Sequence, residues 1–266
     1  MDLIDRLKEE RDTKYSWGIY YWTQIQFAYN SNRMEGSKIS ENQTEILFDT
    51  RKITLSKEEE ETIEVDDIIE SLNHFKCFDY ILDTYSEKLS HSYIKKLHGI
   101  LKRHTKSEES TISPVGRYKV EDNIVGMVQT SSWERTTEDM EQLLHGYNYI
   151  SNKRIMTLEE IVDFHVQYET IHPFADGNGR TGRLIMFKEC LKNNIKPFVI
   201  RDEVSVAYKK SLDDYRAGDK EKLLTIIKGE QKVYQKILDK LRFVWDFLIN
   251  GIGNRLFEDR TGNYHT

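Results

Sequence analysis

The chain has 266 residues, of which 38% are hydrophobic and 32% are charged, and its formal net charge is −6. This composition is typical of a soluble, helix-rich protein, and the excess of acidic residues argues against nucleic acid as a partner. No apolar stretch approaches the ~20 residues of a membrane span, and the N-terminus lacks the apolar segment of a signal peptide. We therefore expect a cytoplasmic protein with no membrane segment, in which Cys77 and Cys190 are reduced core residues.

Apolar residues recur at helical spacing along most of the chain. The N-terminal region, residues 1–36, begins with a charged, loosely docked helix and continues with an aromatic-rich helix that ends at Gly36. A capping box at Ser40 begins the next helix, and the acidic run at 57–61 is interpreted as the solvated start of another. Further helices are predicted over 65–85, 90–104, 136–150, 157–171, 180–192, 207–215 and 219–248.

Residues 112–132 break this pattern, because they contain Pro114, Gly116 and closely spaced β-branched residues. They are the best β-hairpin candidate in the sequence. We therefore predict an all-α fold with one small hairpin, in which residues 37–250 form the catalytic domain. The polar tail, residues 251–266, is predicted to be mobile.

The most informative segment runs from Ile171 to Arg183 and reads Ile-His-Pro-Phe-Ala-Asp-Gly-Asn-Gly-Arg-Thr-Gly-Arg. It comes directly before a predicted helix, where backbone N–H groups lack intrahelical partners and the helix dipole favours anions. Gly177 and Gly179 let the backbone approach an anion closely, and Asn178 adds a side-chain amide. These three residues therefore predict a phosphate-binding turn.

The charged residues of the same segment fit a metal-bound polyphosphate. Arg180 and Arg183 share one face of the first helical turn, where their charges oppose the helix dipole unless an anion is bound. Asp176 is a hard oxygen ligand suited to Mg²⁺. His172 lies just outside the turn and could accept a proton from an attacking hydroxyl.

Other interpretations of this segment stay open on the residues alone. His172 could be structural, and the whole segment could be a tight turn between two helices. Residues 177–182 also match the dinucleotide pattern G-x-G-x-x-G, but a predicted helix precedes them where that motif requires a strand. A metal-dependent hydrolase is a further alternative, since His165 lies two helical turns before His172 and could join it and Asp176 around a metal ion.

The segment from His172 to Arg183 resembles the signature of the Fic (Fido) family, H-P-F-x-[D/E]-G-N-G-R-x-x-R, at every position. The resemblance extends over roughly residues 30–230 and implies the Fic helical core. It also implies a protein adenylyltransferase, which moves AMP from ATP to a Ser, Thr or Tyr hydroxyl and releases pyrophosphate. The implied roles are general base for His172, Mg²⁺ ligand for Asp176, anion hole for 177–179, and phosphate clamps for Arg180 and Arg183.

The resemblance also implies roles for two further segments. The predicted hairpin lies where the family has its flap, on which a target protein would dock over residues 112–130. Val125, Gly126 and Met127 resemble the flap segment beside ATP, whereas the residues that follow depart from the family pattern. Tyr208 and Arg216 fall on the helix that contacts adenine in the family, although an Asn is common at the position of Arg216.

Ser31 and Glu35 lie on one helix face, in the segment Ser-Asn-Arg-Met-Glu-Gly. Glu35 is in the last turn, where a negative charge opposes the helix dipole, as the charge of Arg183 does at a helix start. Pairing these two charges would relieve both. The segment resembles the family's inhibitory motif, [S/T]-x-x-x-E-[G/N], which implies that Glu35 pairs with Arg183 in the place of the γ-phosphate and makes the enzyme autoinhibited.

The alternatives to an autoinhibited adenylyltransferase are of several classes. The same fold could remove AMP from a target, phosphorylate it, or transfer phosphocholine, and a non-catalytic nucleotide sensor is another class. The two-arginine motif favours ATP as the substrate, with Mg²⁺ as the metal. The sequence does not identify the target protein or the oligomeric state, although a homo-oligomer would be in keeping with the family.

Overall fold

The computed structural model describes residues 2–53, 62–110, 115–125 and 128–261. Across these residues the chain is helical, as the sequence predicts. The helices are α1 (Leu3–Asp12), α2 (Ile19–Arg33), α3 (Glu41–Thr50), α4 (Val65–Asp83), α5 (His91–Leu101), α6 (Thr136–Ser151), α7 (Leu158–Ile171), α8 (Asn178–Lys192), α9 (Ser205–Arg216) and α10 (Glu221–Thr261).

The centre of the molecule is α8. Every residue of this helix is buried except Gly179 and Lys192, which is the pattern of a core helix and not of an amphipathic surface helix. It packs against α2, α4, α5 and α7. The ring of Phe187 in α8 packs against Phe27 in a tilted arrangement and against Phe78 edge to face, with 5.3 Å between ring centroids in both pairs. This packing fixes the N-terminal end of α8 in the middle of the fold.

Capping residues position the helices that lead into this centre. Ser40 begins α3 and Thr157 begins α7, and each forms a complete capping box with the residue three positions later. At the other end of α7, His172 adopts a left-handed conformation with φ of 53° and ψ of 62°. The chain then turns through a short loop and enters α8 at Gly177, which has φ of 80°.

The backbone between α5 and α6 contains a short antiparallel pairing of β1 (Ile124–Val125) with β2 (Val128–Gln129). It falls inside the predicted hairpin, of which residues 112–114 and 126–127 lie outside the described residues. The acidic run at 57–61 lies outside them as well. The role of the pairing as a target-docking flap stays a prediction.

The C-terminal helix is longer than the sequence suggests, because α10 continues to Thr261, whereas the prediction has a helix to residue 248 and a mobile tail from 251. The predicted tail begins at Gly251. A glycine inside a helix costs about 1 kcal/mol relative to alanine, which weakens a helix without ending it.

The remaining expectations concern the cysteines and the membrane. Cys77 and Cys190 are both free and buried, as predicted. Within the described ranges, none of the helices combines the length and apolar character that a bilayer crossing requires.

Candidate active site

The loop between α7 and α8 is held rigid by its own side chains. Phe174 is fully buried and stacks on His98 of α5, with ring centroids 3.8 Å apart and an interplanar angle of 2°. Asn178 closes the loop, since its Oδ1 accepts from Phe174 N at 2.9 Å and its Nδ2 donates to Phe174 O at 2.7 Å. The sequence analysis expected the Asn178 amide to face an anion. Both of its polar atoms instead serve the loop, which leaves the backbone of the turn to face a ligand.

The first turn of α8 presents its backbone directly to Glu35. A Cβ added at Gly179 would lie 2.5 Å from Glu35 Oε1 and 2.9 Å from Arg183 Nη1, so a side chain here would push this ion pair aside. The glycine therefore lets a carboxylate lie against the helix N-terminus. The position of this carboxylate is where the dipole and the N–H groups of the first turn favour an anion.

Arg180 belongs to a buried network of alternating charge. Its guanidinium bonds to Glu70 of α4, and Glu70 also accepts from Lys102, which follows α5. Lys102 donates in turn to Asp176, and Arg180 Nη2 lies 3.4 Å from Asp176 Oδ1. The side chains of Arg180, Lys102 and Glu70 are at most 9% exposed.

Asp176 is the member of this network that faces outward, with 55% of its side chain exposed. Its Oδ1 accepts from Gly177 N at 2.6 Å. Burial opposes its ionisation, but Arg180 and Lys102 outweigh burial and lower the pKa of Asp176 to about 2. Asp176 is therefore a carboxylate at every physiological pH.

Glu70 and Lys102 were not among the site residues predicted from the sequence. A signal for Glu70 was present, because it shares one helical stripe with His74, Cys77 and Ile81, all of which are buried. An acidic residue on an apolar stripe requires a buried cation. Lys102 carries no comparable signal, since a lysine in the turn after a helix is ordinarily solvated.

Arg183 is bound by the end of α2. Its Nε donates to Ser31 Oγ at 3.0 Å, and its Nη2 donates to Ser31 O at 3.0 Å and to Glu35 Oε1 at 2.7 Å. Burial opposes ionisation of Glu35, but Arg183 and Arg180 hold the pKa of this carboxyl below its usual value. The structure thus brings Arg183 to Ser31 and Glu35, from which it is separated by 152 and 148 positions in the sequence.

His172 has the properties of a neutral base. Burial, and then the nearby positive charge of Lys119, lower its pKa to about 4. A hydrogen bond to the backbone of Glu169 opposes this shift but does not outweigh burial. A neutral imidazole at pH 7 can accept a proton, which a protonated one cannot.

The other predicted site residues are Tyr208, Arg216 and the flap segment. Tyr208 is buried, its hydroxyl is 2.5 Å from His165 Nε2, and it also interacts with Arg183, so the structure brings this residue to the site. Arg216 donates to Thr170 Oγ1 at 2.9 Å and lines a cavity of about 770 Å³ between α6, α7 and the end of α9. The side chain of Val125 is not described, and Gly126 and Met127 lie outside the described residues.

The described side chains contain no group of three or more His, Cys, Asp or Glu residues that could hold a metal ion. His165, His172 and Asp176 are all described, so the structure does not assemble the hydrolase site that they would form. A single exposed carboxylate at a phosphate-binding turn does fit Mg²⁺, which is commonly held by one or two carboxylates together with substrate phosphates.

Comparisons with known proteins agree with this geometry. Residues 88–190 match the family model for the Fic/DOC family. The chain is 23% identical to a protein adenylyltransferase of Caenorhabditis elegans over 235 residues, which is 88% of this chain and 45% of that protein. It is 24% identical to the protein adenylyltransferase Fic of Nematostella vectensis over 230 residues, 82% of this chain and 51% of that protein. The chain thus spans about half the length of these curated relatives.

Solved structures show the same fold. A Fic domain-containing signaling protein from Bacteroides thetaiotaomicron aligns with a TM-score of 0.71 at 22% identity, covering 89% of this chain and 94% of that one. A fragment of Fic-1 from Caenorhabditis elegans aligns with a TM-score of 0.67 at 18% identity, covering 91% and 72% of the two chains. Residues 88–190, which include the loop and α8, thus match the Fic/DOC family, and the chain has the fold of proteins that contain a Fic domain.

Proposed function

We propose that this protein transfers AMP from ATP to a hydroxyl of a target protein and that Glu35 restrains the reaction. One observation carries the proposal. A partly buried histidine with a lowered pKa lies in the loop before a helix N-terminus that already holds a carboxylate paired with Arg183. The relatives named as protein adenylyltransferases support the same activity.

The chemistry of the transfer balances with the residues present. An acceptor hydroxyl oxygen forms a bond to the α-phosphorus, and the bond from that phosphorus to the bridging oxygen of the β-phosphate breaks. Pyrophosphate leaves with the electron pair of the broken bond, and His172 takes the hydroxyl proton. Because phosphoryl transfer depends mainly on positioning and charge, the backbone of residues 177–179 and the guanidinium groups of Arg180 and Arg183 would supply most of the catalysis.

Asp176 is the residue that would hold Mg²⁺. The ion, when bound, neutralises phosphate charge and favours departure of pyrophosphate. Lys102 and Arg180 already balance the charge of Asp176, so this carboxylate alone would attract a divalent cation weakly. We therefore expect Mg²⁺ to enter together with ATP, whose phosphates complete its oxygen ligands.

The restraint follows from the position of Glu35. Its carboxylate occupies the anion position at the start of α8 and uses the guanidinium of Arg183. A γ-phosphate would need the same position and the same partner. With Glu35 in place, ATP would bind either weakly or in a pose with a misaligned α-phosphate, and such a misplacement can cost about 10²-fold in rate.

Removal of AMP from a target is the second candidate function, because Glu35 lies inside the site where it could orient a water molecule. The Arg183 contact favours the restraint, since a carboxylate paired with a guanidinium at 2.7 Å is a weakened base. AMP-modified protein as a substrate would separate the two functions.

The activity is tested with ATP labelled at either the α- or the γ-phosphate. Glu35→Gly is compared with the double variant Glu35→Gly/His172→Ala, both with saturating Mg²⁺. We expect protein-bound α-label in the first and none in the second. Protein-bound γ-label would mean phosphorylation, and no label from either nucleotide in Glu35→Gly would refute AMP transfer.

A further inference from the structure

The loop that carries β1 and β2 is joined to the active-site loop through one buried lysine. Lys119 is only 3% exposed, although it carries no carboxylate partner in direct contact among the described residues. Its ammonium donates to Asn123 Oδ1 at 2.8 Å, to Thr130 Oγ1 at 3.1 Å and to Ile171 O at 3.3 Å. Three acceptors use all three of its N–H groups.

These contacts connect both ends of the strand pair to α7. Asn123 lies just before β1 and Thr130 just after β2, so the Lys119 ammonium closes the base of this loop. Thr130 Oγ1 strengthens the closure by bonding to Asn123 O at 2.8 Å. The third acceptor, Ile171 O, belongs to the last residue of α7, directly before His172.

Two more hydrogen bonds reach the other side of His172. The backbone N–H of Lys119 donates to Pro173 O at 2.8 Å. Asn123 Nδ2 donates to Phe174 O at 2.9 Å. Lys119 and Asn123 therefore bond to the backbone of the residue before His172 and of the two residues after it.

This arrangement matters because of the strained position of His172. A non-glycine residue in the left-handed region is uncommon and persists only where its surroundings hold it. Lys119 and Asn123 supply the hydrogen bonds on either side of His172. They would therefore fix the direction of the imidazole relative to the loop.

We propose that Lys119 is a positioning residue of the transfer reaction, which holds His172 in one fixed geometry relative to Asn123 and Thr130, the residues on either side of the strand pair. The proposal rests on the proposed function, in which His172 takes a proton from an acceptor hydroxyl. Lys119 acts on the base both through the backbone and through its charge.

The electrostatic surroundings agree with this role. The charged groups that face His172 are Lys119 from the loop, Glu35 from the end of α2 and Asp176 from its own loop. Burial lowers the pKa of Lys119 to about 8, opposed by Asp122 and Asp139. Lys119 thus remains mostly charged near pH 7 and disfavours protonation of His172.

The test compares Lys119→Met, which keeps the length of the side chain but removes its charge and donors, with Lys119→Arg, which keeps both. Arg117→Met is the matched control, because Arg117 carries the same charge two residues earlier and is exposed. Each variant is measured for the titration of His172 by NMR, for hydrogen exchange at the amide of residue 119, and for AMP transfer in the Glu35→Gly background.

We expect Lys119→Met to raise the pKa of His172, to increase exchange at that amide, and to lower kcat by about 10- to 100-fold. The KM for ATP should change less than about threefold, because Lys119 touches no residue of the phosphate-binding turn. Lys119→Arg should restore kcat to within a few-fold, and Arg117→Met should resemble the parent in every measurement.

A fall in kcat without a change in the His172 titration or in amide exchange would overturn the proposal, as would equal effects of Arg117→Met. If Lys119→Met does not fold, Thr130→Val removes one acceptor of the ammonium and should shift the same measurements in the same direction by a smaller amount. If no variant transfers AMP, the proposed function fails, while the titration and exchange still decide whether Lys119 positions His172.

Discussion

The two arginines of α8 each pair with a glutamate, but the two glutamates differ in their exposure to solvent. Arg180 pairs with Glu70, whose side chain is 9% exposed and which belongs to the middle of the fold through α4. Arg183 pairs with Glu35, whose side chain is 31% exposed and which follows the last turn of α2. The first pair is enclosed and the second lies at an accessible helix end. An incoming phosphate could therefore displace Glu35 far more easily than Glu70.

This difference divides the site into a permanent part and an exchangeable part. Lys102 and Arg180 bond to Asp176 and are themselves bonded to the enclosed Glu70, so we expect this part to stay in place when a ligand binds. Arg183 is bonded to Ser31 and Glu35 at the end of α2, so we expect this contact to be exchangeable. Lys209 helps to keep this end of α2 in its position, because its ammonium donates to Met34 O at 2.5 Å.

The largest expected effect concerns stability. Glu70→Ala leaves two buried cations without their shared carboxylate and should lower the free energy of unfolding by about 3–5 kcal/mol, which urea denaturation would measure. Glu35→Ala removes a more exposed partner and should cost no more than about 1 kcal/mol. Equal costs for the two substitutions would contradict the division into permanent and exchangeable pairs.

The next effect concerns ATP affinity. In the Glu35→Gly background, Arg183→Met should weaken binding of Mg²⁺-ATP by about 10- to 100-fold, because a charge-assisted hydrogen bond is worth about 1.5–3 kcal/mol. Isothermal titration calorimetry would measure the affinity. In the background that keeps Glu35, the same substitution should matter less, since Glu35 already uses the guanidinium. The same loss in both backgrounds would show that Glu35 and ATP do not compete for Arg183.

A smaller effect is expected at Ser31. Ser31→Ala removes the hydroxyl that accepts from Arg183 Nε, and one such bond is worth about 1 kcal/mol. Basal AMP transfer should rise about 3- to 10-fold by initial rate. The substitution should add nothing in the Glu35→Gly background, because the restraint is then already absent; a further rise there would place Ser31 outside the restraint.

The smallest expected effect is that of pH on the rate of AMP transfer. An ordinary histidine has a pKa of about 6.5 and would lose half of its basic form at that pH. Burial and Lys119 lower the pKa of His172 to about 4, so its basic form is present well below neutrality. The rate of Glu35→Gly with saturating Mg²⁺ should therefore change less than about twofold between pH 7 and pH 5.5, a range in which Lys119 stays charged. A half-maximal rate near pH 6.5 would contradict a base with a lowered pKa.

Much of the site could be predicted because its chemistry is local. The segment from His172 to Arg183 is continuous in sequence, and each residue type has a reason at a helix N-terminus. The pairing of Glu35 with Arg183 is not local. It was predicted from the helix dipoles and from the resemblance to the family's inhibitory motif. The structure contains the pair, although α2 ends at Arg33, before Glu35, and Arg183 lies in the second turn of α8.

The parts that could not be predicted depend on tertiary packing. Whether the polar atoms of Asn178 face a ligand or close the loop is decided by the buried position of Phe174. Lys102 and Lys119 resemble solvated lysines in the sequence, and their burial follows only from the elements packed around them. The helix beyond Gly251 shows that glycine is a weak signal for where a helix ends.

The initial rate of protein-bound α-label tests the central claim most directly, with the wild type compared with Glu35→Gly and Glu35→Gln. We predict that Glu35→Gly is faster than the wild type by about 10- to 100-fold, and that Glu35→Gln is also faster because it loses the charge that binds Arg183. Equal rates for all three proteins at saturating Mg²⁺ and ATP would show that the carboxylate on Arg183 does not restrain the reaction.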